Sequence, residues 1–265
     1  MSARITATTM DASLGYIIIF SLVGGLLSLI GAVLLLGSDK AAAVLAQYAT
    51  PFAAGALLAA VFLDLLPEGT AEGDGRQVLL ATLLGIVLFF MLERFLHWFH
   101  HHHEHQSALP QRRPKGLIIL GDTLHNGLDG MAIAAAFLID VPTGIVTAVA
   151  VAAHELPQEI GDFGLLLARG LSRGRVLLVN VMSALATLVT ALATYWLGDA
   201  DRLPTDWLLG VSAGFLLYIA LSDLIPSIHQ EASKKHLVEK QTGLLLLGIA
   251  AVALVIGLAG RFVSA

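Results

Sequence analysis

Apolar residues run along this chain in stretches of about 20 or more, the length an α-helix needs to cross the hydrocarbon of a bilayer, and short polar breaks separate them. Eight such stretches are legible, over approximately 15–36, 42–66, 77–97, 116–138, 143–168, 176–197, 206–225 and 242–262. The pattern predicts an all-α polytopic membrane protein with eight transmembrane helices, and residues 1–265 read as a single transmembrane domain. The first stretch is long enough to span and no cleavage-site pattern follows a short apolar core, so helix 1 is expected to be retained rather than removed as a signal peptide.

Two stretches resemble each other when written in the same direction. AGALLAAVFLDLLP (54–67) and AGFLLYIALSDLIP (213–226) agree at seven of fourteen positions, among them Asp64 with Asp223 and Pro67 with Pro226. Five helix steps separate them, so they are expected to run in opposite directions across the membrane. Inverted-topology repeats of this kind are common in secondary transporters. Helices 1–3 and 6–8 would form the two halves, with helices 4 and 5 between them in a 3+2+3 arrangement.

Helices 4 and 5 break the apolar pattern with LHNGLDGMAI (124–133) and AAHELPQEIGDF (152–163). Ionisable groups at membrane depth are costly, and they mark functional sites. At 1.5 Å rise per residue, His125 falls about 14 Å from the inner end of helix 4, and His154 about 17 Å from the outer end of helix 5. Both motifs therefore meet near the midplane. Asp122, His125 and Asp129 follow the i, i+3, i+7 spacing of one helix face with Asn126 at its edge, while His154 and Gln158 are i, i+4 beside a stripe of Glu155, Glu159 and Asp162.

Composition narrows the chemistry. The chain is 57% hydrophobic and 13% charged, with a mean hydropathy of +0.81. It has no cysteine, so any metal must be held by nitrogen and oxygen. Imidazole with carboxylate suits zinc and its first-row neighbours, whereas calcium or magnesium would call for nearly all oxygen. A divalent ion would also neutralise the buried carboxylates. Pro157 removes one helix hydrogen bond and frees the Ala153 carbonyl, which is tolerable at this depth only against protein or a wet cavity. The formal charge of −5 gives no sign of nucleic-acid binding. With the N-terminus outside, eleven lysines and arginines fall in inner loops and Arg4, Arg76, Arg202 and Arg261 outside, which predicts that both termini lie outside the cytoplasm.

The segments His125-Asn126-Gly127-Leu128-Asp129-Gly130 and His154-Glu155-Leu156-Pro157-Gln158-Glu159-Ile160-Gly161-Asp162-Phe163 resemble the ZIP family of divalent metal-ion transporters. The match is to the branch whose fourth helix reads HNxxDG and whose fifth reads HExPHExGDF. The likeness covers the eight-helix plan, the N-out orientation, a His-rich loop after helix 3 and the end of helix 2. It implies a metal site, often binuclear, between helices 4 and 5, with ligands at His125, Asn126, Asp129, His154, Glu155 and Gln158. A helix 6 residue would also line the site, Asn180 and Ser183 being the polar candidates. The resemblance further implies a homodimer with one pathway per subunit and a sliding of helices 1, 4, 5 and 6 against the rest. One position departs from the branch: residue 158 is Gln where His is usual, which should soften the preference for zinc over harder ions.

Several residues would lie along the path. Asp64 is expected at the outer end of helix 2 with Glu68 beyond it, a funnel for cations. Asp223, His229 and Glu231 would occupy the inner end of helix 7, facing Glu93 and His97 at the end of helix 3, while Asp122, Glu159 and Asp162 border the site. The run HWFHHHHEH (97–105) reads by composition as metal-binding, within a cytoplasmic loop at about 97–115.

Rival readings fare worse. HELPQ falls one residue short of the HExxH zinc-protease helix, since Gln158 replaces the second His and Pro157 interrupts the helix. A sensor that binds without transporting leaves the inverted repeat unexplained. The expectation is therefore a transporter and not an enzyme. It would move divalent transition-metal ions toward the cytoplasm by alternating access, zinc foremost, with manganese, iron or cadmium as further cargo. No catalytic cofactor is expected. The expected partners are the metal ions, the lipid bilayer and a second copy of the chain, in a bacterial inner (plasma) membrane.

Overall fold

The computed structural model describes residues 14–23, 29, 30, 33, 37–101, 115–168, 170–197, 205–231 and 235–263. The regular elements within them are helices. α1 covers Leu14–Val23, and α2 covers Asp39–Ala60, continued by a π turn at Val61–Leu65 and by Leu66–Glu72. α3 is Gly75–His101, α4 Lys115–Ile139, α5 Val141–Ala168 and α6 Arg173–Leu197. α7 runs over Thr205–Ile219, a π turn at Ala220–Leu224 and Ile225–Glu231, and α8 over Lys235–Val263.

Among the described residues, five segments are long and apolar enough to cross a membrane: Gln47–Ala71, Gly75–Phe95, Arg173–Leu197, Asp206–His229 and Val238–Leu258. α4 and α5 match them in length, at 25 and 28 residues, but carry the polar motifs in their middle. Large apolar side chains such as Leu83, Leu88, Met182, Val189, Leu247 and Leu254 stay exposed on α3, α6 and α8, where a bilayer takes the place of water. The chain is an all-α polytopic membrane protein.

Some elements extend beyond the apolar stretches. α2 continues past Pro67 to Glu72, and α7 past Pro226 to Glu231. Each π turn ends two residues before its proline. The wide turn accommodates a ring that lacks an N–H and would otherwise press on the carbonyl four residues back. α3 likewise continues through His97 to His101, so the start of the His-rich run is helical rather than loop. The rest of that run lies outside the described residues.

The internal repeat has structural counterparts. The two π turns fall on aligned segments, VFLDL and ALSDL, with Asp64 and Asp223 at the same place in each. Close helix contacts are duplicated as well. α2 packs on α8 and α3 on α7. A Cβ added at Gly55 would strike the Leu245 carbonyl, and one at Gly214 would strike the Thr82 carbonyl. In the reverse direction, Gly248 meets the Phe52 carbonyl and Gly85 the Val211 carbonyl. Gly55 aligns with Gly214 and Phe52 with Val211, while Leu245 and Gly248 match Thr82 and Gly85 at one constant offset. Glycine at these four places lets backbone touch backbone, the usual device for tight packing in lipid.

α4 and α5 form a tight hairpin joined by Asp140 alone. Asp140 Oδ1 accepts a 2.7 Å hydrogen bond from the Thr143 N–H, capping one of the free donors at the start of α5. Gly144 leaves room for the Phe137 ring, which also stacks on Tyr16 of α1 at 6.1 Å. Two apolar clusters result. The larger includes Ile17, Leu57, Val61, Ile133, Phe137, Val146 and Val151; the smaller consists of Ile118, Ile160, Phe163, Leu166 and Val176. Along α4 and α5 the polar motifs lie between them.

Candidate metal centre

His125 and Asp129 stand one turn apart on α4, and the hairpin brings them against His154 and Glu155 on α5. One ligand atom from each of the four lies within 4.8 Å of all the others. The two imidazole Nε2 atoms are 3.0 Å apart. Asp129 Oδ2 is 3.2 Å from His154 Nε2 and 3.7 Å from His125 Nε2. Glu155 Oε1 is 3.7 Å from His125 Nε2 and 3.9 Å from His154 Nε2. With metal–ligand bonds near 2.0–2.1 Å, the edges of a tetrahedral zinc site are about 3.3–3.4 Å. The observed separations bracket that value.

All four side chains are buried, at 8%, 2%, 0% and 3% exposure for His125, Asp129, His154 and Glu155. Asp129 Oδ2 and Glu155 Oε1 have no hydrogen-bond partner, and these are the oxygens turned toward the imidazoles. Leaving a carboxylate oxygen unsatisfied at this depth is expensive unless a cation completes it. His154 Nδ1 lies 3.3 Å from the Ala150 carbonyl. A carbonyl only accepts, so Nδ1 carries the proton and Nε2 presents its lone pair to the cage. The His125 ring packs at nearly a right angle against the Phe89 ring, with centroids 5.8 Å apart and planes at 83°.

The other expected residues take different places. Asn126 is buried, but its amide nitrogen donates to the backbone and side-chain oxygens of Asp122, at 3.2 and 3.0 Å. Its amide oxygen accepts from Thr187 of α6 at 3.0 Å. Thr187 is not among the expected residues, although it lies one turn beyond Ser183 on the buried face Asn180, Ser183, Thr187. Gly130 closes the same α4–α6 contact, since a Cβ there would strike the Thr187 carbonyl. Ser183 donates to Thr123 at 3.3 Å. Asp122, Glu159, Asn180 and Ser183 are buried, while Gln158 and Asp162 are half-buried.

The residues expected along the path are dispersed. Asp64 is buried with Oδ2 unpartnered, and the charges acting on it are Asp140 and Glu68. Asp223 and His229 are exposed. Glu93 accepts a 2.5 Å hydrogen bond from the Tyr218 hydroxyl, and Tyr218 stacks on Phe89. No lone sequence signal marked Tyr218 or Phe89, which read as ordinary apolar-face aromatics. The side chains of His97 and Glu231 lie outside the described residues.

Comparison with known proteins agrees with this chemistry. The family model described as ZIP Zinc transporter matches residues 10–116 and 100–256. Zebrafish (Danio rerio) zinc transporter ZIP10 is 40% identical over 120 residues, 45% of this chain and 14% of that protein. Mouse (Mus musculus) zinc transporter ZIP4 is 44% identical over 112 residues, 42% of this chain and 17% of that protein. Human zinc transporter ZIP6 is 38% identical over 118 residues, 44% of this chain and 16% of that protein. The aligned region thus spans less than a fifth of the length of these relatives. With the family model matching nearly the whole chain, and with its paired motifs on α4 and α5 closing one buried cage, this chain belongs to the ZIP zinc transporter family.

Proposed function

We propose that the protein carries divalent transition-metal ions, zinc first among them, across a membrane toward the cytoplasm. The observation that carries this reading is the buried cage of His125, Asp129, His154 and Glu155 in the middle of two membrane-length helices. The relatives ZIP10, ZIP4 and ZIP6 bear the name zinc transporter, which favours zinc as cargo. Two imidazoles and two carboxylates replace the hydration shell of such an ion, and the carboxylates offset its charge in a medium of low dielectric constant.

Alternating access is part of the proposal. The cage lies between two apolar clusters, so an ion leaves only when packing on one side opens. The duplicated π turns and glycine contacts support a pseudo-symmetric pair of halves, the architecture that exposes one site to each side in turn. On this reading α1, α4 and α5 complete eight crossings, and residues 1–265 form one transporter domain. Asn126, Gln158, Asn180 and Ser183 border the cage. Asp64 and Glu68 collect cations outside, and Glu93, His97, Asp223, His229 and the His-rich run receive them inside. The asymmetry of cationic residues supports placing both termini outside the cytoplasm. A homodimer and a bacterial inner membrane complete the proposal.

The test is uptake of zinc, manganese, iron(II) and cadmium into proteoliposomes. Saturable uptake by the wild type, abolished by His125→Ala with His154→Ala, is the expected result. Binding at the cage with no ion crossing the bilayer would overturn it.

A further inference from the structure

A compact aromatic group stands against one side of the cage. The Phe89 ring of α3, which packs on His125, lies 5.8 Å from the Phe215 ring and 5.0 Å from the Tyr218 ring of α7, centroid to centroid. One turn beyond Phe89 on α3, Glu93 accepts the Tyr218 hydroxyl at 2.5 Å. Phe215 is buried, while Phe89, Tyr218 and Glu93 are half-buried. Asp223, which with Glu93 is a charge acting on Tyr218, is exposed. The run from His125 through Phe89 and Tyr218 to Glu93 therefore leads from the buried cage toward an exposed carboxylate.

The internal repeat shows that helix packing does not require this group. At the offsets that match the glycine contacts, Phe215 and Tyr218 of α7 correspond to Ala56 and Ala59 of α2, and Phe89 and Glu93 of α3 correspond to Val252 and Ile256 of α8. Ala56, Ala59 and Val252 are buried, so small side chains close the equivalent crossing of α2 and α8. The backbone contacts are duplicated, whereas the rings and the phenol–carboxylate pair stand only on the α3–α7 side. We propose that Phe89, Phe215 and Tyr218 form the inner gate of the cage, latched shut by the hydrogen bond from Tyr218 to Glu93. Offset and edge-on ring contacts make a stiff wedge, and the bond ties that wedge to α3. Glu93 is also a carboxylate that a departing ion meets beyond the rings. A cation drawn to Glu93 competes with the Tyr218 hydroxyl for the same oxygens, so the arriving ion loosens the latch.

This inference rests on reading the pathway as leading inward from the cage, and the test separates the two. His125→Cys places a single thiol behind Phe89 in a full-length chain that otherwise has none. Its reaction with a charged, membrane-impermeant methanethiosulfonate is timed in right-side-out and inside-out membrane vesicles. Labelling from the inner side is expected to be slow. Adding Phe89→Ala should speed it more than tenfold, on the order of the opening of a closed lid. Tyr218→Phe, which keeps the ring and removes only the bond to Glu93, should speed it several-fold. Neither change should alter the outer-side rate, and that constancy also reports an intact fold. Glu93→Gln keeps an acceptor for Tyr218 but removes the charge, so labelling should stay slow. The same substitution in the chain that retains His125 should lower zinc uptake into proteoliposomes several-fold. Fast inner-side labelling of the starting chain, no acceleration by Phe89→Ala and Tyr218→Phe, or equal acceleration from both sides overturns the gate. Uptake unchanged by Glu93→Gln overturns the competition for the latch. Acceleration confined to the outer side leaves the gate standing and overturns the inward reading.

Discussion

The two imidazoles of the cage are each set by a neighbour. His154 presents Nε2 because Ala150 holds Nδ1, and His125 is steadied by Phe89. Losing a supporting group at a metal site typically costs roughly 10–100-fold in affinity, and losing a ligand costs more. His154→Ala should therefore weaken zinc binding by more than about 100-fold, measured by competition against a chelator of known affinity, while Phe89→Ala should weaken it by roughly 10-fold. Gln158 is the residue that departs from the family's branch. Gln158→His adds a borderline-soft nitrogen beside the cage and should raise the zinc-to-manganese uptake ratio. Unchanged selectivity would show that position 158 does not tune the metal. At this scale helical spacing puts His125 and Asp129 on one face of α4, and His154 beside the stripe of Glu155 on α5, so the sequence shows which residues lie on or next to the motif faces. Asn126 shows the limit. Spacing placed it at the edge of the motif, but hydrogen bonds to Asp122 and Thr187 decide where its amide points.

Among the elements, the α4–α5 hairpin depends on a single connecting residue. Asp140→Ala removes the cap on Thr143 and should cost about 1 kcal/mol of stability, read as a lowered melting temperature in detergent with the metal affinity little changed. The glycine contacts are less forgiving. Gly55→Leu or Gly214→Leu drives a side chain into a neighbouring backbone carbonyl, and folded, monodisperse protein should fall sharply in size-exclusion profiles. Gly164 has open space around the position of a Cβ, so Gly164→Ala should be tolerated and serves as the control. The sequence marked Asp64, Asp223 and the two prolines as equivalent, but the π turns were not legible there. A wide turn is a backbone response to a proline within a packed helix, and no local residue pattern encodes it.

For the whole molecule, the absence of cysteine makes topology directly testable. Arg76→Cys should react with a membrane-impermeant maleimide on intact cells. Arg175→Cys should react only after permeabilisation. The reverse pattern would invert the orientation and with it the proposed direction of transport. The membrane character, the helical class and the pairing of two motif-bearing helices were determined by the sequence alone, because apolar runs of membrane length admit one satisfied backbone and periodicity assigns side chains to faces. Only the tertiary structure decided that four ligand atoms converge within 4.8 Å and that Asn126 turns to Thr187. The physical reason is that faces are properties of single helices, whereas distances between faces depend on how closely glycine, capping and aromatic contacts let those helices approach.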